Sequence, residues 1–225
     1  MVYVWNQNMK PNSKIISAVL RTLSRRYTER GMTHLDTPED TLVATMLSAQ
    51  TTDVQVLKAF PGLRKKFPNW KALACARVED IEKTINTINL YKTKAKALKG
   101  MAQRILLTYK GKVPHTMDEL ITLPGVGRKT ASIMLSACFN EPSIAVDTHV
   151  LRIMTKRLAW SHRKTPTHIE TDLKALVPKA QWSTINRVIV PFGRDICKAR
   201  RPECWRCPIA AHCPFMPKTS APVLS

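Results

Sequence analysis

A glycine-rich turn that runs into a lysine is the first part of the chain able to do chemistry. The segment LPGVGRKTA occupies residues 123–131 and contains Gly125, Gly127 and Lys129. Two glycines allow positive φ and a close approach to a ligand, because no Cβ stands in the way. Backbone amides at such a turn, together with the N-terminus of a following helix, bind anions such as phosphate. The segment therefore predicts either a phosphate site or a tight turn between two helices that binds nothing.

Lys129 and Asp147 are candidates for an amine nucleophile and its carboxylate. Lys129 falls in the first turn of the helix predicted after the glycines. The positive end of the helix macrodipole makes this a poor place for a structural cation and a good one for an amine that must lose its proton to attack carbon. Asp147 lies in AVDTHV (residues 145–150), where its simplest role is an N-cap worth about 1 kcal/mol. A capped carboxylate is also rigid and able to stabilise a developing positive charge. The alternative for Lys129 and Arg128 is simple neutralisation of a phosphate backbone.

Four of the six cysteines lie close together near the end of the chain: Cys197, Cys204, Cys207 and Cys213. Four thiolates at this spacing fit a tetrahedral zinc ion or an iron–sulfur cluster. Zinc sites more often contain two close pairs, whereas only Cys204 and Cys207 form a close pair here. The spacing alone leaves both metals open. Cys75 and Cys138 lie in apolar helical stretches and are predicted to be core residues.

The charge of the chain indicates a polyanionic partner. Lys and Arg total 36 against 16 Asp and Glu, which gives a net charge of +20. Nucleic acid is the leading candidate, because neutralising its phosphates releases counterions and produces a large, salt-dependent affinity. A membrane span and a signal peptide are both absent from the pattern, which predicts an intracellular, cytoplasmic protein associated with the nucleoid. Intracellular cysteines are usually reduced, so metal binding or burial is favoured over disulfides.

Helical periodicity dominates the chain, and strand alternation is hard to find. Helices are predicted over residues 41–49, 53–67, 78–87, 91–109, 128–139, 148–158, 167–176 and 184–192. Thr37 and Pro38 are an N-cap and a first helical residue, and Thr116 with Glu119 matches a capping box before the glycine turn. Short connections rich in Pro and Gly suit packed helices, so the fold is predicted to be all-α. Residues 2–13 and 218–225 are predicted to be frayed ends.

These parts resemble the helix-hairpin-helix DNA glycosylase superfamily, and within it the endonuclease III family. LSAQTTD (residues 47–53) resembles an early segment of that family, LPGVGRKTA its hairpin and AVDTHV its acidic motif, and the four cysteines have its cluster spacing. The resemblance covers residues 15–217. It implies two helical lobes that flank a DNA-binding cleft: a six-helix barrel with the helix-hairpin-helix at residues 31–141, and an iron–sulfur lobe that joins residues 1–30 to residues 142–225.

The resemblance also implies a bifunctional DNA glycosylase and AP lyase of base excision repair. Such an enzyme excises oxidised pyrimidines from duplex DNA after flipping the nucleotide out of the stack. Lys129 would attack C1′ and form an imine, Asp147 would stabilise the positive charge, and β-elimination would cut the strand. The partner would be double-stranded DNA that contains damaged pyrimidines or abasic sites, and the protein would act as a monomer.

The cofactor and the DNA contacts follow from the same resemblance. A 4Fe–4S cluster is implied, with the ligands Cys197, Cys204, Cys207 and Cys213. Gln50 would fill the gap left by the flipped base, and Leu90 would enter the stack as an apolar wedge. The other residues predicted to bind DNA are Gly125, Val126, Gly127, Arg128, Thr130 and His149.

Two positions depart from the family pattern. Asn89, in INLYKTKA (residues 88–95), stands where the family usually has glycine. Asparagine tolerates the left-handed conformation better than most residues, so the turn is expected to survive with a shifted wedge. Phe192, in VIVPFGR (residues 188–194), precedes Gly193 where the family usually has histidine. This difference bears on the pocket and the choice of substrate.

Two other functions remain as alternatives. A monofunctional relative would remove adenine or mismatched thymine with activated water, but such relatives lack a lysine at the position of Lys129. A non-catalytic hairpin module would bind DNA without chemistry. It predicts that replacing Lys129 changes affinity and salt dependence and abolishes no product.

Overall fold

The computed structural model describes residues 11–27 and 35–222. These residues form α-helices, short 3₁₀ turns and loops, with no strand among them, which confirms the predicted all-α class. None of their helices is long and apolar enough to cross a membrane. The chain divides into two compact units. We term Gly31–Glu141 the continuous unit and Met1–Arg30 with Pro142–Ser225 the split unit.

The described chain begins with α1 (Ser13–Arg26), which belongs to the split unit. Asn12 caps this helix, because its Oδ1 accepts a hydrogen bond of 2.9 Å from the backbone N–H of Ile15. The buried stripe of α1 consists of Ile16, Val19, Leu20 and Leu23. The frayed end predicted over residues 2–13 is wrong at Ser13, which starts the helix; residues 2–10 lie outside the described residues.

Seven helices make up the described part of the continuous unit. They are α2 (Pro38–Leu47), α3 (Asp53–Lys66), α4 (Trp70–Cys75), α5 (Val78–Thr84), α6 (Tyr91–Tyr109), α7 (Met117–Leu120) and α8 (Arg128–Cys138). All the helices predicted in this unit are present with small shifts at their ends, and α4 was missed. In α2 every residue from 41 to 47 is buried. Helix α8 packs on α2, and α4 and α5 pack on α6.

Side-chain caps explain where these helices begin. Thr37 Oγ1 accepts from the backbone N–H of Asp40 (3.1 Å), with Pro38 in the first turn as predicted. Thr52 and Gln55 form a capping box at the start of α3. Caps of this kind satisfy backbone donors that have no partner within the helix. The starts of α2 and α3 are therefore well defined.

The two cysteines predicted to be core residues differ, because Cys138 packs against the core of the continuous unit and Cys75 does not. Cys75 is exposed and Cys138 is half-buried. In the short helix α4, Trp70 and Leu73 occupy the buried face. Cys75 lies on the opposite side of that helix, because consecutive residues are separated by about 100°. The core assignment is wrong for Cys75.

The split unit contains three further helices: α9 (Thr148–Lys156), α10 (Pro166–Leu176) and α11 (Trp182–Asp195). Helix α11 packs against both α1 and α9. Apolar residues of these helices form a core separate from that of the continuous unit. After α11 come the cysteine segment (residues 197–213) and its two 3₁₀ turns.

Asp195, at the end of α11, joins three segments of the split unit. Its carboxylate accepts hydrogen bonds of 2.7 Å from the Tyr27 hydroxyl and from Nη2 of Arg206, and it pairs with Arg26 at 3.3 Å. The hydrogen bonds from Tyr27 and Arg206 hold the pKa of Asp195 below its usual value. Burial and the nearby carboxylate raise the pKa of Tyr27. The end of α1 and the cysteine segment are thus anchored to the same residue.

Candidate functional site

The glycine turn connects α7 to α8, as the sequence predicted. Leu123 and Val126 are buried, and the Val126 N–H donates to O of Leu123 (3.0 Å). Gly125 has φ of +80°, and a Cβ there would lie 2.9 Å from Cβ of Ala97 and 3.3 Å from Cγ of Met46. Glycine is therefore required at this position by the packing of the turn on α2 and α6, independently of any ligand.

Gly127 has a different reason to be glycine. Its φ is −97° and its ψ is 175°, which is ordinary extended backbone. The prediction that both glycines reach positive φ is therefore wrong for Gly127. A Cβ there would meet no atom within 4 Å. Gly127 is the N-cap of α8 and has no side chain that could accept hydrogen bonds from the first backbone amides of this helix. The space over these amides is therefore open, and a helix N-terminus of this kind is suited to binding an anion.

Arg128 and Lys129 are the first two residues of α8, and both are exposed. Lys129 therefore lies in the first helical turn, where the sequence placed it. The side chains of Val126 and Thr130 are buried. Their predicted contact with DNA stays a prediction.

Asp147 is the N-cap of α9, which confirms the structural role expected from the sequence. Its Oδ1 accepts a hydrogen bond of 2.7 Å from the Val150 N–H. Among the described residues, Oδ2 accepts no hydrogen bond from the protein. The cap therefore fixes the orientation of the half-buried Asp147 carboxylate and leaves Oδ2 able to interact with a bound molecule.

His149 lies in the first turn of α9 and is half-buried against α11. Its Nδ1 is 3.2 Å from Nη2 of Arg152, which also donates to the carbonyl oxygens of Gly193 (3.2 Å) and Cys197 (2.9 Å). Burial lowers the pKa of His149, the neighbouring arginines act in the same direction, and Asp147 opposes them. A neutral imidazole is therefore favoured at this place beside Asp147.

Gln50 and Leu90 are both exposed and both left-handed, with φ of 55° and 59°. The left-handed conformation expected at Asn89 lies instead at Leu90, the N-cap of α6. Asn89 uses its side chain, since Nδ2 donates to the carbonyl oxygen of Gln50 (2.8 Å). Sequence analysis missed both this bond and the buried Lys94, because no local pattern shows that a lysine of α6 reaches the end of α2.

The four cysteines of the cysteine segment line one cavity. Its other walls are largely apolar and include Ile153, Phe192, Ile196, Ile209 and Phe215. Four thiols that line one cavity suit an iron–sulfur cluster, for which Cys₄ ligation is the usual donor set.

Burial raises the pKa of the Cys197 thiol to about 11 and also raises that of Cys207. Such thiols stay protonated at neutral pH unless a metal takes the place of the proton. Arg157 contributes positive charge at the cavity, with its guanidinium 3.8 Å from the ring centroid of Phe215. The donor set and its surroundings therefore fit a bound iron–sulfur cluster.

The end of the chain helps to hold the cysteine segment. Nζ of Lys218 donates to O of Cys213 (2.5 Å), and the Cys204 N–H donates to Oγ1 of Thr219 (2.9 Å). The frayed end predicted over residues 218–225 is therefore wrong at Lys218 and Thr219.

The predicted site residues fall on both units. Gln50, Leu90 and residues 125–130 belong to the continuous unit, whereas Asp147, His149 and the cysteines belong to the split unit.

Two models of known protein families match this chain. Residues 43–179 match the model of the HhH-GPD superfamily of base excision DNA repair proteins. Residues 197–213, which begin and end at a cysteine, match the iron–sulfur binding domain of endonuclease III. The helical fold and the hairpin thus define the class of protein: a helix-hairpin-helix protein of base excision DNA repair.

Individual relatives narrow the class. Endonuclease III of Synechocystis sp. is 41% identical over 179 residues, which cover 79% of this chain and 81% of that protein. Endonuclease III of Thermotoga maritima is 38% identical, with coverage of 89% and 93%. A structure of a trapped covalent intermediate of endonuclease III with DNA has a TM-score of 0.83 at 34% identity and covers 90% of this chain and 96% of that one.

The chain belongs to the endonuclease III family. It is a DNA glycosylase and AP lyase of base excision repair, and its cofactor is a 4Fe–4S cluster, as the sequence analysis predicted.

Proposed function

We propose that this enzyme excises oxidised pyrimidines from duplex DNA and cuts the strand through an imine on Lys129. The observation that carries the proposal is the position of Lys129, which is exposed in the first turn of α8, two residues after the open N-cap Gly127. A phosphate bound over that N-terminus would bring the amine close to the sugar of a neighbouring nucleotide.

The reaction begins when the damaged nucleotide is flipped out of the stack, because C1′ cannot be attacked inside it. Nζ of Lys129 bonds to C1′, and the bond from C1′ to the base breaks with its electron pair leaving on the base, which takes up a proton. The bond from C1′ to O4′ then breaks with its electron pair on O4′, which takes up a proton, and this opening of the sugar ring gives an imine whose positive charge the Asp147 carboxylate stabilises. Loss of a proton from C2′ then expels the 3′ phosphate, and water releases the lysine.

Residues of both units bind the DNA while the damaged nucleotide is flipped out. Gln50 fills the gap left by the flipped base, and Leu90 enters the stack as a wedge. The amides of the hairpin and Arg128 hold the backbone, and His149 contacts DNA beside Asp147. The substrate is double-stranded DNA with damaged pyrimidines or abasic sites. The enzyme acts as a monomer, because one flipped base needs only one copy of the site. It acts in the cytoplasm, at the nucleoid, where this substrate lies.

The iron–sulfur cluster has a structural role. Cys197, Cys204, Cys207 and Cys213 hold it, and when bound it supplies rigidity to the segment between them. Arg200 and Arg201 lie exposed on this segment and are available to phosphates. Arg206 is already engaged by Asp195 and Glu203, so it orients the segment rather than contacting DNA.

Borohydride trapping tests the mechanism. The holoenzyme is incubated with a duplex oligonucleotide that carries thymine glycol, and borohydride reduces any imine to a stable link. We expect a covalent complex with the wild type and with Lys71→Ala, which removes an exposed lysine on α4, and none with Lys129→Ala. Asp147→Asn is informative because asparagine also caps a helix; it should keep the fold and slow trapping.

The alternatives give other outcomes. Base release without trapping would indicate a monofunctional glycosylase, and binding without either product would indicate a DNA-binding module. Trapping that is unchanged in Lys129→Ala would overturn the assignment of the nucleophile.

A further inference from the structure

We infer that Asn89 and Lys94 form a clamp that fixes Gln50 and Leu90 relative to each other before DNA binds, with Asn89 as a positioning residue for lesion recognition. This inference rests on the proposed roles of Gln50 as gap filler and Leu90 as wedge. All four residues belong to the continuous unit, so the arrangement is complete within one compact body.

Lys94 holds the segment that carries Gln50. It is 6% exposed, and its Nζ donates to O of Leu47 (2.8 Å), O of Ala49 (2.6 Å) and Oγ1 of Thr51 (2.8 Å). Three acceptors match the three donors of an ammonium group. The carbonyl of Leu47 is at the C-terminal end of α2, where the helix macrodipole favours a cation, and that of Ala49 lies in the turn directly after it.

Asn89 restrains Gln50 directly. Its Nδ2 donates to O of Gln50 at 2.8 Å. Lys94 binds the carbonyl of the preceding residue and the hydroxyl of the following one, and Asn89 binds the carbonyl between them. The backbone of Gln50 is therefore restrained from both sides while its side chain stays exposed.

The same two residues flank Leu90. Asn89 directly precedes it, and the Lys94 N–H donates to the carbonyl oxygen of Leu90 (3.0 Å) in the first turn of α6. Leu90 is 57% exposed, so the packing of its side chain does not fix its direction. Its backbone is fixed by the residue before it and by the lysine that begins the hydrogen-bonded helix after it.

Left-handed backbone at Gln50 and Leu90 shows that this arrangement is held against local preference. Non-glycine residues avoid this conformation unless the surroundings impose it, and such strained residues cluster at functional sites. Both side chains are exposed. A glycine at position 89 would lack the Nδ2 donor and would leave the Gln50 carbonyl without this restraint.

Asn89→Asp tests the clamp, because it keeps the size of the side chain and removes the donor. Asn86→Asp is the matched control: Asn86 is exposed on the same connection between α5 and α6, and the change adds the same charge. The holoenzyme is titrated with two duplexes, one undamaged and one with a tetrahydrofuran abasic analogue. The ratio of the two affinities measures damage-specific binding without chemistry.

We expect Asn89→Asp to lower this ratio about five- to tenfold relative to Asn86→Asp, the effect of one lost hydrogen bond. In a Gln50→Ala background, Asn89→Asp should cause at most about a twofold further loss, because the residue that it positions is gone. Equal ratios for Asn89→Asp and Asn86→Asp, or a full additional loss in the Gln50→Ala background, would overturn the clamp.

Two further measurements separate other causes. A lower melting temperature with an unchanged affinity ratio would assign Asn89 a purely structural role and would also overturn the inference. Borohydride trapping of Asn89→Asp reports the proposed function separately: Lys129-dependent trapping together with an unchanged ratio refutes only the clamp, whereas absence of trapping in the wild type refutes the mechanism itself.

Discussion

A Cβ atom on Gly193 would lie 2.7 Å from Nδ1 of His149. It would also lie 3.0 Å from Cδ1 of Ile153 and 3.1 Å from Nη2 of Arg152. Gly193 therefore lets α11 approach the face of α9 that carries His149. The position of Asp147 at the start of α9 depends on this contact between two helices as well as on its own cap.

Gly193→Ala should destabilise the protein, although alanine is the better helix former. The gain in helix propensity is about 1 kcal/mol, whereas overpacking costs about 1–3 kcal/mol and displaces His149. Gly62→Ala is the matched control, because it lies within α3 and a Cβ there meets nothing within 4 Å. It should stabilise by about 0.5–1 kcal/mol. Urea unfolding of both variants checks the difference, and equal shifts would refute the steric argument.

Protonation of His149 should weaken the fold. Burial lowers the pKa of its imidazole in the folded protein, so the unfolded chain binds the proton more tightly. The stabilisation is complete above the unfolded pKa of about 6.5 and is lost as the pH falls through that value towards the lower folded pKa. Urea midpoints at pH 7.5 and pH 5 should therefore differ less in His149→Asn than in the wild type.

His168→Asn is the control for this pH dependence, because His168 is exposed on α10. It should show the full wild-type difference between the two pH values. An unchanged difference in His149→Asn would show that burial of the imidazole does not contribute.

The two hairpin glycines should respond differently to alanine. Gly125→Ala combines a φ of +80° with an overlap at Ala97, so unfolding should become easier by about 1–3 kcal/mol. Gly127→Ala should cost at most about 1 kcal/mol, because its backbone is ordinary and alanine is only a poorer N-cap. It should nevertheless weaken DNA binding, since the new Cβ enters the open space before α8. Unfolding curves and fluorescence anisotropy with duplex DNA separate the two effects; unchanged DNA affinity in Gly127→Ala would refute the phosphate site.

Cluster loss should follow replacement of any ligand cysteine. Cys207→Ser should lower the iron content below four per chain, remove the brown absorbance and lower the melting temperature, because metal binding contributes to folding of the segment. Cys75→Ser, at an exposed cysteine on α4, should leave all three unchanged. Full iron content in Cys207→Ser would contradict the ligand assignment.

Local signals predicted most of the helices, because these signals act within a few residues. Thr37 with Pro38 marks the start of α2, and Asp147 marks the start of α9. The sequence could not separate the two glycines in the same way, since the need for glycine at Gly125 comes from Ala97 and Met46 on other helices. The short α4 was missed because six residues carry too little periodicity to be distinguished from a loop.

The residues of the candidate site could be predicted where a short stretch of sequence holds the reactive or metal-binding side chains themselves. Lys129 and the cysteine segment are of this kind, and the structure places the lysine in the expected helical turn. The bond from Asn89 to Gln50 joins residues 39 positions apart, and that from Lys94 to Leu47 joins residues 47 apart. Such pairs follow from the packing of α6 on α2, which no local pattern contains.

The anchoring of α1 through Asp195 has a consequence for synthesis of the protein. Arg26 and Asp195 are 169 residues apart, so α1 leaves the ribosome long before the helix that covers its apolar stripe. At about 5–20 residues per second the delay is roughly 8–35 s. The core of the continuous unit, in the described part of the chain, is built from residues of its own stretch and can form during this interval. A nascent or truncated chain that stops before α11 should therefore contain one folded body together with α1 and α9, whose apolar faces lack the helix that packs on them. These exposed apolar faces make such a chain a substrate for chaperones.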